Sequence, residues 1–549
     1  MRYCMAGSYK LKSESGKPAP TPPTSRPAPP AAPAGSAGAT PPAKPTRPTA
    51  VGTPVPLPVP TGRLTSLDAF RGFIMIMLAA SGFGVARLAS SPADAPVWNR
   101  PVATSEGAEA PTAEQVAARQ SWWKTLAFHF THPDWRSDFL PFRTPDSLSQ
   151  SEWLRIGVSF WDLIQPAFMF MVGVAMPFSY RRRKANGDPA WGRTLHAFLR
   201  AIVLVLLGVF LYTKVGQRTG WIFTNVLAQI GLGYFFVYLL LGFRWQLQAV
   251  AAILILAGYW YFMQTGYWQM TGQPQPDGKY DYAAVKADPA KGEVYEGRFA
   301  PWSKNNNAAH AVDVQLLNKL ADPQGQALQA WRNKQAAGPL TFGEKFQLAV
   351  RRIFFANEEE FRFNGGGYQT LNFVPSMATM LLGVICGALL AGSASSQRKF
   401  ITLLLLAIGL LLVGRITGNY VSPIVKRIWT PSWALFSGGY VVALLAVFYL
   451  LFDLLPLKKL AFPLVVVGMN SMVMYMMGQL MTGFTRERIV RPHLTGLFET
   501  ILGTDPVRDG QFYLLSDQMY GRILEPLGGI LVFWLIAYWL YRQKIFVRI

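Results

Sequence analysis

The chain has 549 residues, of which 51% are hydrophobic and 15% are charged, and its net charge is +22 at pH 7. So few charged residues exclude an ordinary soluble protein and favour a polytopic membrane protein. The basic residues are dispersed and accompany no recognised nucleic-acid-binding module, which argues against a nucleic-acid partner. The two cysteines, Cys4 and Cys386, are too few for a metal cluster.

Residues 1–62 differ in composition from the rest of the chain. They contain 16 of the 40 prolines, and seven Lys or Arg residues stand against one acidic residue, Glu14. Such a segment has too few apolar residues to bury a core, so the sequence predicts a disordered, basic tail. The tail also lacks the apolar run of a secretory signal.

Ten apolar segments of the remaining chain are candidate membrane spans. Lys and Arg residues cluster in every second connection, and cytoplasmic loops carry such an excess. The sequence therefore predicts an all-α polytopic membrane protein with about ten transmembrane helices and both termini in the cytoplasm. The ten segments are 69–88, 157–178, 198–213, 222–241, 247–264, 371–391, 400–417, 431–452, 460–481 and 526–541.

This topology divides the chain into four parts. Residues 1–62 form the cytoplasmic tail, and residues 63–264 form a first five-helix membrane part that includes an outer loop at 89–156. Residues 265–370 form a large outer loop on the same side of the membrane. Residues 371–549 form a second five-helix membrane part.

A histidine and a carboxylate stand out around the second span. Asp162 lies inside an apolar segment, and an ionisable residue there is costly and usually faces a protein interior or a wet cavity. His132 precedes the span on the predicted outer face, and a neutral imidazole can take a proton from an amine or hydroxyl. Asp162 could fix the tautomer of His132 if the fold brings the two together.

Other polar groups near the spans have two interpretations. Asp68 and Arg71 share a helical face and could form a local ion pair at a helix start that Thr65 or Ser66 caps. Arg71 could instead meet a phosphate at the cytoplasmic mouth of a cavity. Intramembrane amides such as Asn225, Gln229, Asn372 and Asn470 could bond neighbouring helices or line a pathway, and Lys426 lies at the outer start of the eighth span.

Seven motifs resemble, in order, those of the heparan-alpha-glucosaminide N-acetyltransferase family, especially its bacterial membrane branch. They extend over about residues 63–541. They read RLTSLDAFRGF, HPDW, SFWDLIQPAFMFMVGVAMPFS, NVLAQIGLGY, NGGGYQTLNFVPSMATMLLGVICG, PIVKRIWTPSWAL and VVVGMNSMVMY.

The resemblance implies a transmembrane acyltransferase fold that uses acetyl-CoA from the cytoplasmic side and acetylates a glucosamine amine on the other side. His132 matches the family's catalytic histidine, as general base or transient acetyl carrier, and Asp162 matches its span aspartate. Asp68 and Arg71 match the entrance motif and are the expected cofactor-binding residues, with Arg71 as part of a basic mouth that holds the CoA phosphates. The expected substrate-binding residues are Trp135, Asn372, Lys426 and Asn470.

Two features depart from the family pattern. About twenty residues, 136–156, separate the HPDW motif from the second span, whereas the family passes directly into it. The first span reads Ala80-Ser81-Gly82-Phe83 where the family's enzyme of known activity has an asparagine. That role is either vacant or taken by Ser81 or another residue.

The expected function is transfer of acetyl from acetyl-CoA to an amino sugar or glycan at a bacterial inner membrane, without a metal. Expected partners are acetyl-CoA, a sugar acceptor, the lipid bilayer and, as an assembly to consider, a second copy in a homodimer. A transporter or channel for a small polar solute is one alternative, since intramembrane Asp, Asn and Gln also line pathways. A catalytically inactive scaffold with a partner-binding tail is the other.

Overall fold

Long apolar helices make up most of the computed structural model of this chain. The structure describes residues 64–95, 97–99, 102–104, 107–132, 135, 158–213, 219–270, 281–321, 326–354, 360–494 and 521–547. The predicted tail and the insert at 136–156 lie outside the described residues. The predicted division of the chain into four parts stays a prediction.

The helices and one small hairpin follow in chain order. The α-helices are α1 (Thr65–Ala79), α2 (Val85–Ala89), α3 (Ala113–Phe128), α4 (Phe160–Ala185), α5 (Ala190–Thr213), α6 (Val226–Leu239), α7 (Trp245–Met270), α8 (Ala308–Ala321), α9 (Gln326–Ala337), α10 (Phe342–Phe354), α11 (Phe373–Leu390), α12 (Ser396–Tyr420), α13 (Pro431–Tyr449), α14 (Phe462–Met469), α15 (Ser471–Leu480), α16 (Thr482–Thr485) and α17 (Gly521–Arg542). The antiparallel strands β1 (Val102–Thr104) and β2 (Gly107–Glu109) lie between α2 and α3.

Short helical turns of other types connect or extend these helices. The 3₁₀ turns are Ser81–Gly84, Ala283–Val285, Pro289–Lys291, Gly297–Trp302, Thr370–Asn372 and Lys458–Ala461, and the π turns are Leu450–Leu454 and Arg486–Leu494.

The prediction of an α-helical polytopic membrane protein is confirmed. In the described part of the chain seven helices, α4, α5, α7, α11, α12, α13 and α17, are long and apolar enough to cross a membrane. The number rises to as many as nine if two bent pairs, α1 with α2 and α14 with α15, each count as one span. The remaining predicted segment, 222–241, corresponds to α6, whose 14 residues extend only about 21 Å. The count of ten spans and the cytoplasmic termini stay predictions.

Helix α4 lies at the centre of the bundle and packs against α1, α6, α11 and α13. Glycines allow its closest approach to α11. A Cβ atom at Gly173 would lie 2.0 Å from the carbonyl oxygen of Met380, and one at Gly383 would lie 2.1 Å from that of Phe170. Small residues of this kind let the backbones of membrane helices touch. By contrast, α5, α7 and α12 expose many large apolar side chains, as lipid-facing helices do.

The start of α1 differs from its predicted capping. Neither Thr65 nor Ser66 caps the helix with its side chain, because the N-cap position is Leu64. The carboxylate of Asp453 instead accepts hydrogen bonds from the backbone N–H groups of Thr65 at 3.1 Å and Ser66 at 3.2 Å. A residue distant in sequence thus satisfies the free N–H groups of this helix end.

Candidate active site

Two hydrogen bonds fix the segment that carries His132 to the start of α4. Ser159 is the N-cap of α4: its hydroxyl accepts from the N–H of Asp162 at 3.1 Å and donates to the carbonyl of Thr131 at 2.7 Å. The N–H of Trp161 donates to the carbonyl of His129 at 3.0 Å. The residues just before His132 and those just before Asp162 are therefore held together.

His132 and Asp162 form a hydrogen-bonded pair at this junction. The distance from His132 Nδ1 to Asp162 Oδ1 is 2.8 Å, and the histidine side chain is 42% exposed while that of the aspartate is 4% exposed. A ring nitrogen and a carboxylate oxygen this close need a proton between them, and the imidazole is the group that carries it. Nδ1 therefore holds the proton, and the lone pair of Nε2 is left to act as a base.

Lys426 completes the cluster from the segment between α12 and α13. Its Nζ lies 3.0 Å from Asp162 Oδ1 and 3.2 Å from His132 Nδ1, and its side chain is almost fully buried. A buried carboxylate requires a compensating charge, and Lys426 supplies it. The imidazole can then remain neutral beside the carboxylate.

The surroundings of His132 favour its neutral form. Loss of hydration and, after it, the positive charge of Lys426 lower the pKa of His132 below its usual 6.5, and Arg427 acts in the same direction. The bond to Asp162 opposes this shift but does not cancel it. A base whose pKa lies below neutral pH is already deprotonated under physiological conditions.

His132 faces a cleft of about 250 Å³, which we call the histidine cleft. Its described lining combines hydrogen-bonding groups and a small apolar wall, as a site for a polar ligand requires. The polar lining residues are His132, Gln165, Tyr212, Thr224, Asn225, Tyr368 and Lys426, and the apolar ones are Leu78, Trp161, Ile164 and Val226.

A larger cavity of about 700 Å³, which we call the basic cavity, opens near the other end of α4. Four arginines, Arg71, Arg182, Arg183 and Arg200, are among its lining residues. Asp68 Oδ1 lies 3.8 Å from Arg71 Nη1, so the predicted pairing of these two residues is present in the structure. Guanidinium groups are suited to bind phosphate.

The two cavities approach each other inside the bundle. On α4, Gln165 lines the histidine cleft and Phe168, three residues later, lines the basic cavity. On α6, Val226 lines the histidine cleft and the next residue, Leu227, lines the basic cavity. Asp162 and Arg182, in contrast, are separated by about 30 Å along α4. A ligand that enters from the basic end could thus extend toward His132.

The remaining predicted site residues lie in buried positions with partners of their own. Trp135 packs in a cluster with Trp302 and donates from Nε1 to the Trp302 carbonyl at 3.0 Å. Asn372 donates to the carbonyl of Arg427 at 2.7 Å, next to Lys426 in sequence. Asn470 lies at the break between α14 and α15 and bonds to the backbone of Ile545 and Val547. The structure thus brings His132, Asp162 and Lys426 together, and it separates Arg71 and Asp68 from them.

Several residues of the site did not come from sequence reasoning. Ser159, three residues before Asp162, follows the N-cap pattern, and that pattern could have identified it. Gln165 carries a signal as a polar residue inside an apolar span, whereas Tyr212 and Tyr368 carry none, because they reach the histidine cleft only in the folded bundle. Within the described residues no group of three His, Cys, Asp or Glu residues could hold a metal ion.

Comparison with known families gives one match. The model described as the catalytic part of heparan-alpha-glucosaminide N-acetyltransferase matches residues 132–285. No curated protein gives a match. The matched segment begins at His132 and includes Asp162 and helices α4 to α7, so it contains the histidine–carboxylate pair. Residues 132–285, which carry the histidine–carboxylate pair, thus match the catalytic domain of the heparan-alpha-glucosaminide N-acetyltransferase family.

Proposed function

We propose that this protein is a transmembrane acetyltransferase that binds acetyl-CoA in the basic cavity and transfers its acetyl group to an amino sugar or glycan in the histidine cleft. The observation that carries the proposal is the 2.8 Å bond between His132 and the buried Asp162, inside the segment that matches the catalytic family. We further propose that the basic cavity opens to the cytoplasm and the histidine cleft to the periplasm of a bacterial inner membrane.

Two routes are open to the transfer, and in the first His132 acts as the base while the acetyl group passes directly from CoA to the acceptor. The acceptor nitrogen attacks the thioester carbonyl carbon, and its proton passes to His132 Nε2. The bond from carbon to sulfur then breaks, and the imidazolium returns the proton to the CoA thiolate. In the second route Nε2 itself attacks the carbonyl carbon, the bond from carbon to sulfur breaks, and CoA leaves as its thiolate. The acceptor nitrogen then attacks the acetyl-imidazolium, the bond from carbon to Nε2 breaks, and Nε2 takes the proton that the nitrogen loses and passes it through solvent, from which the thiolate is protonated. In both routes Asp162 keeps the proton on Nδ1 and stabilises the positive ring.

The charge of the basic cavity supports CoA as the donor. CoA carries several phosphate negative charges at one end and its thioester at the other. Arg71, Arg182 and Arg183 offer guanidinium groups for the phosphates. The close approach of the two cavities along α4 and α6 supports delivery of the thioester to His132.

Acetyl transfer by the purified protein tests this function. Labelled acetyl-CoA is supplied with a panel of amino sugars, and His132→Ala and Asp162→Asn are assayed beside the unaltered protein. We expect His132→Ala to lose roughly 10²- to 10⁴-fold in turnover, as removal of a general base does. Asp162→Asn should also lose activity because its amide no longer fixes the tautomer.

The opposed cavities also favour one alternative, a transporter for a small polar solute. A transporter would move solute into proteoliposomes without consuming acetyl-CoA. Solute flux without acetyl transfer would therefore contradict the enzyme assignment. Turnover that stays at its full rate in a folded His132→Ala protein would keep the reaction but remove His132 as the base.

A further inference from the structure

The end of the described chain forms part of the basic cavity. Helix α17 ends at Arg542, and Lys544 adopts a left-handed conformation, with φ of 57°, that turns the chain back on itself. The N–H of Ile545 then bonds to the carbonyl of Leu540 at 2.9 Å. We call residues 545–547 the C-terminal strap. Its last described residue, Val547, lines the basic cavity together with Arg71.

The side-chain amide of Asn470 holds this strap through two hydrogen bonds, one from its nitrogen and one to its oxygen. The Asn470 Nδ2 group donates to the carbonyl of Ile545 at 3.1 Å, and the Asn470 Oδ1 atom accepts from the N–H of Val547 at 3.1 Å. Asn470 is fully buried. Its amide therefore pairs with the strap as a neighbouring backbone would. An aspartate of the same size would lack the donor, and an alanine would lack both groups.

The residues on either side of Asn470 also line the basic cavity. Asn470 itself lies between α14 and α15, where the chain bends by 68° and this residue leaves the helical conformation. Its neighbours Met469 and Ser471 line the basic cavity. The amide thus joins two non-helical segments, the helix break and the strap, that both form the wall of the same cavity.

We infer that Asn470 is a positioning residue for the CoA donor: it holds the C-terminal strap in place as one wall of the basic cavity. The inference rests on the proposed function, since it assigns a part of the donor site. Because Asn470 acts on the wall and not at the reacting atoms, its loss should weaken donor binding and leave the chemical step intact.

Calorimetric titration of CoA into the purified full-length protein tests this inference. We expect Asn470→Ala to weaken CoA binding about tenfold, in line with the loss of two buried hydrogen bonds. Asn470→Asp, which places a buried carboxylate oxygen against the Ile545 carbonyl, should weaken it at least as much. In turnover, the KM for acetyl-CoA should rise with kcat and the KM for the acceptor unchanged, a split that general damage to the fold would not produce.

Two further variants locate the effect at the strap. Val547→Pro removes the backbone N–H that donates a hydrogen bond to Asn470 Oδ1, whereas Val547→Ala keeps this N–H. If Asn470 acts through the strap, the effects of Asn470→Ala and Val547→Pro on CoA affinity are not additive in the double variant. Fully additive effects would overturn the inference.

Gln248→Ala provides a matched control. Gln248 is a buried amide whose Nε2 group also makes two hydrogen bonds, to the carbonyls of Leu240 and Phe243, away from the basic cavity. This variant should bind CoA with unchanged affinity. Equal loss of affinity in Gln248→Ala and Asn470→Ala would mean a general structural effect and would overturn the inference.

The unaltered protein separates failure of the inference from failure of the proposed function. Tight CoA binding that Asn470→Ala leaves unchanged would overturn the role of Asn470 alone. Absence of CoA binding by the unaltered protein would overturn the donor site of the proposed function, and the inference with it.

Discussion

At the residue scale, the site consists of two side chains, His132 and Lys426, that donate hydrogen bonds to the same carboxylate oxygen of Asp162. Asp162 Oδ1 accepts from both His132 Nδ1 and Lys426 Nζ, at 2.8 and 3.0 Å. The lysine balances the charge of the buried carboxylate, so the imidazole need not be charged to satisfy it. Its positive charge also lowers the pKa of His132. Lys426 therefore favours a neutral His132, the form that a base needs, at neutral pH.

This arrangement predicts the pH dependence of turnover. A base works in its deprotonated form, so kcat/KM should fall as pH decreases through the pKa of His132, and this acid limb should lie below pH 6.5. In Lys426→Met the positive charge that lowers the pKa of His132 is gone, while Asp162 still favours the protonated imidazole. The acid limb should then move to higher pH.

Lys399→Met is the control for this shift. Lys399 donates to the carbonyl of Leu390, outside both cavities, so its removal should leave the acid limb in place. An acid limb at the same pH in Lys426→Met and the unaltered protein would contradict the role given to Lys426.

The sequence predicted that His132 and Asp162 form a site, and the structure brings them together, but it did not predict the contact of Lys426 with both. An aspartate in an apolar span and a histidine just before it indicate a site by residue type alone. The role of Lys426 follows from the return of the chain between α12 and α13, which brings it next to residues about 260 to 290 positions earlier. No local pattern encodes that contact.

At the element scale, the apolar segments of the sequence predicted the positions of most membrane helices but not the points where a helix breaks. Hydrophobic length identifies a span, but it does not locate the bend between α14 and α15. That bend coincides with Asn470, whose side chain bonds to the strap instead of a neighbouring helix. The break after α1 coincides with positive φ angles at Gly82 and Gly84, of 70° and 69°. Glycine tolerates that conformation, yet many glycines in the chain do not adopt it.

The contact of α4 with α11 predicts a stability difference between two glycine substitutions. Gly383→Ala would place a Cβ atom against the carbonyl of Phe170 and force the helices apart, at a cost of about 1–3 kcal/mol. Gly409→Ala in α12 meets nothing within 4 Å. Because alanine is the better helix former, this variant should keep or raise the stability.

Thermal unfolding of the detergent-solubilised protein measures both variants. We expect a lower Tm for Gly383→Ala and an equal or higher Tm for Gly409→Ala. Equal Tm values in Gly383→Ala and the unaltered protein would show that the close packing of α4 on α11 does not limit stability.

At the scale of the whole molecule, the histidine cleft and the basic cavity approach each other from different ends of α4. Composition predicted a membrane protein, and the motifs predicted the family whose catalytic model matches residues 132–285. Neither could show that Gln165 and Phe168, three residues apart, line separate cavities, because this depends on how α1, α4 and α6 pack. That packing supports a reaction in which donor and acceptor remain on opposite sides of a membrane.

Acetyl transfer across sealed proteoliposomes tests this account most directly. Labelled acetyl-CoA is placed on the side of the basic cavity and a membrane-impermeant amino sugar on the other, with His132→Ala vesicles beside them. We predict labelled product in the acceptor compartment for the unaltered protein and almost none for His132→Ala. Absence of labelled product from the acceptor compartment, or equal product formation by His132→Ala, would contradict the account.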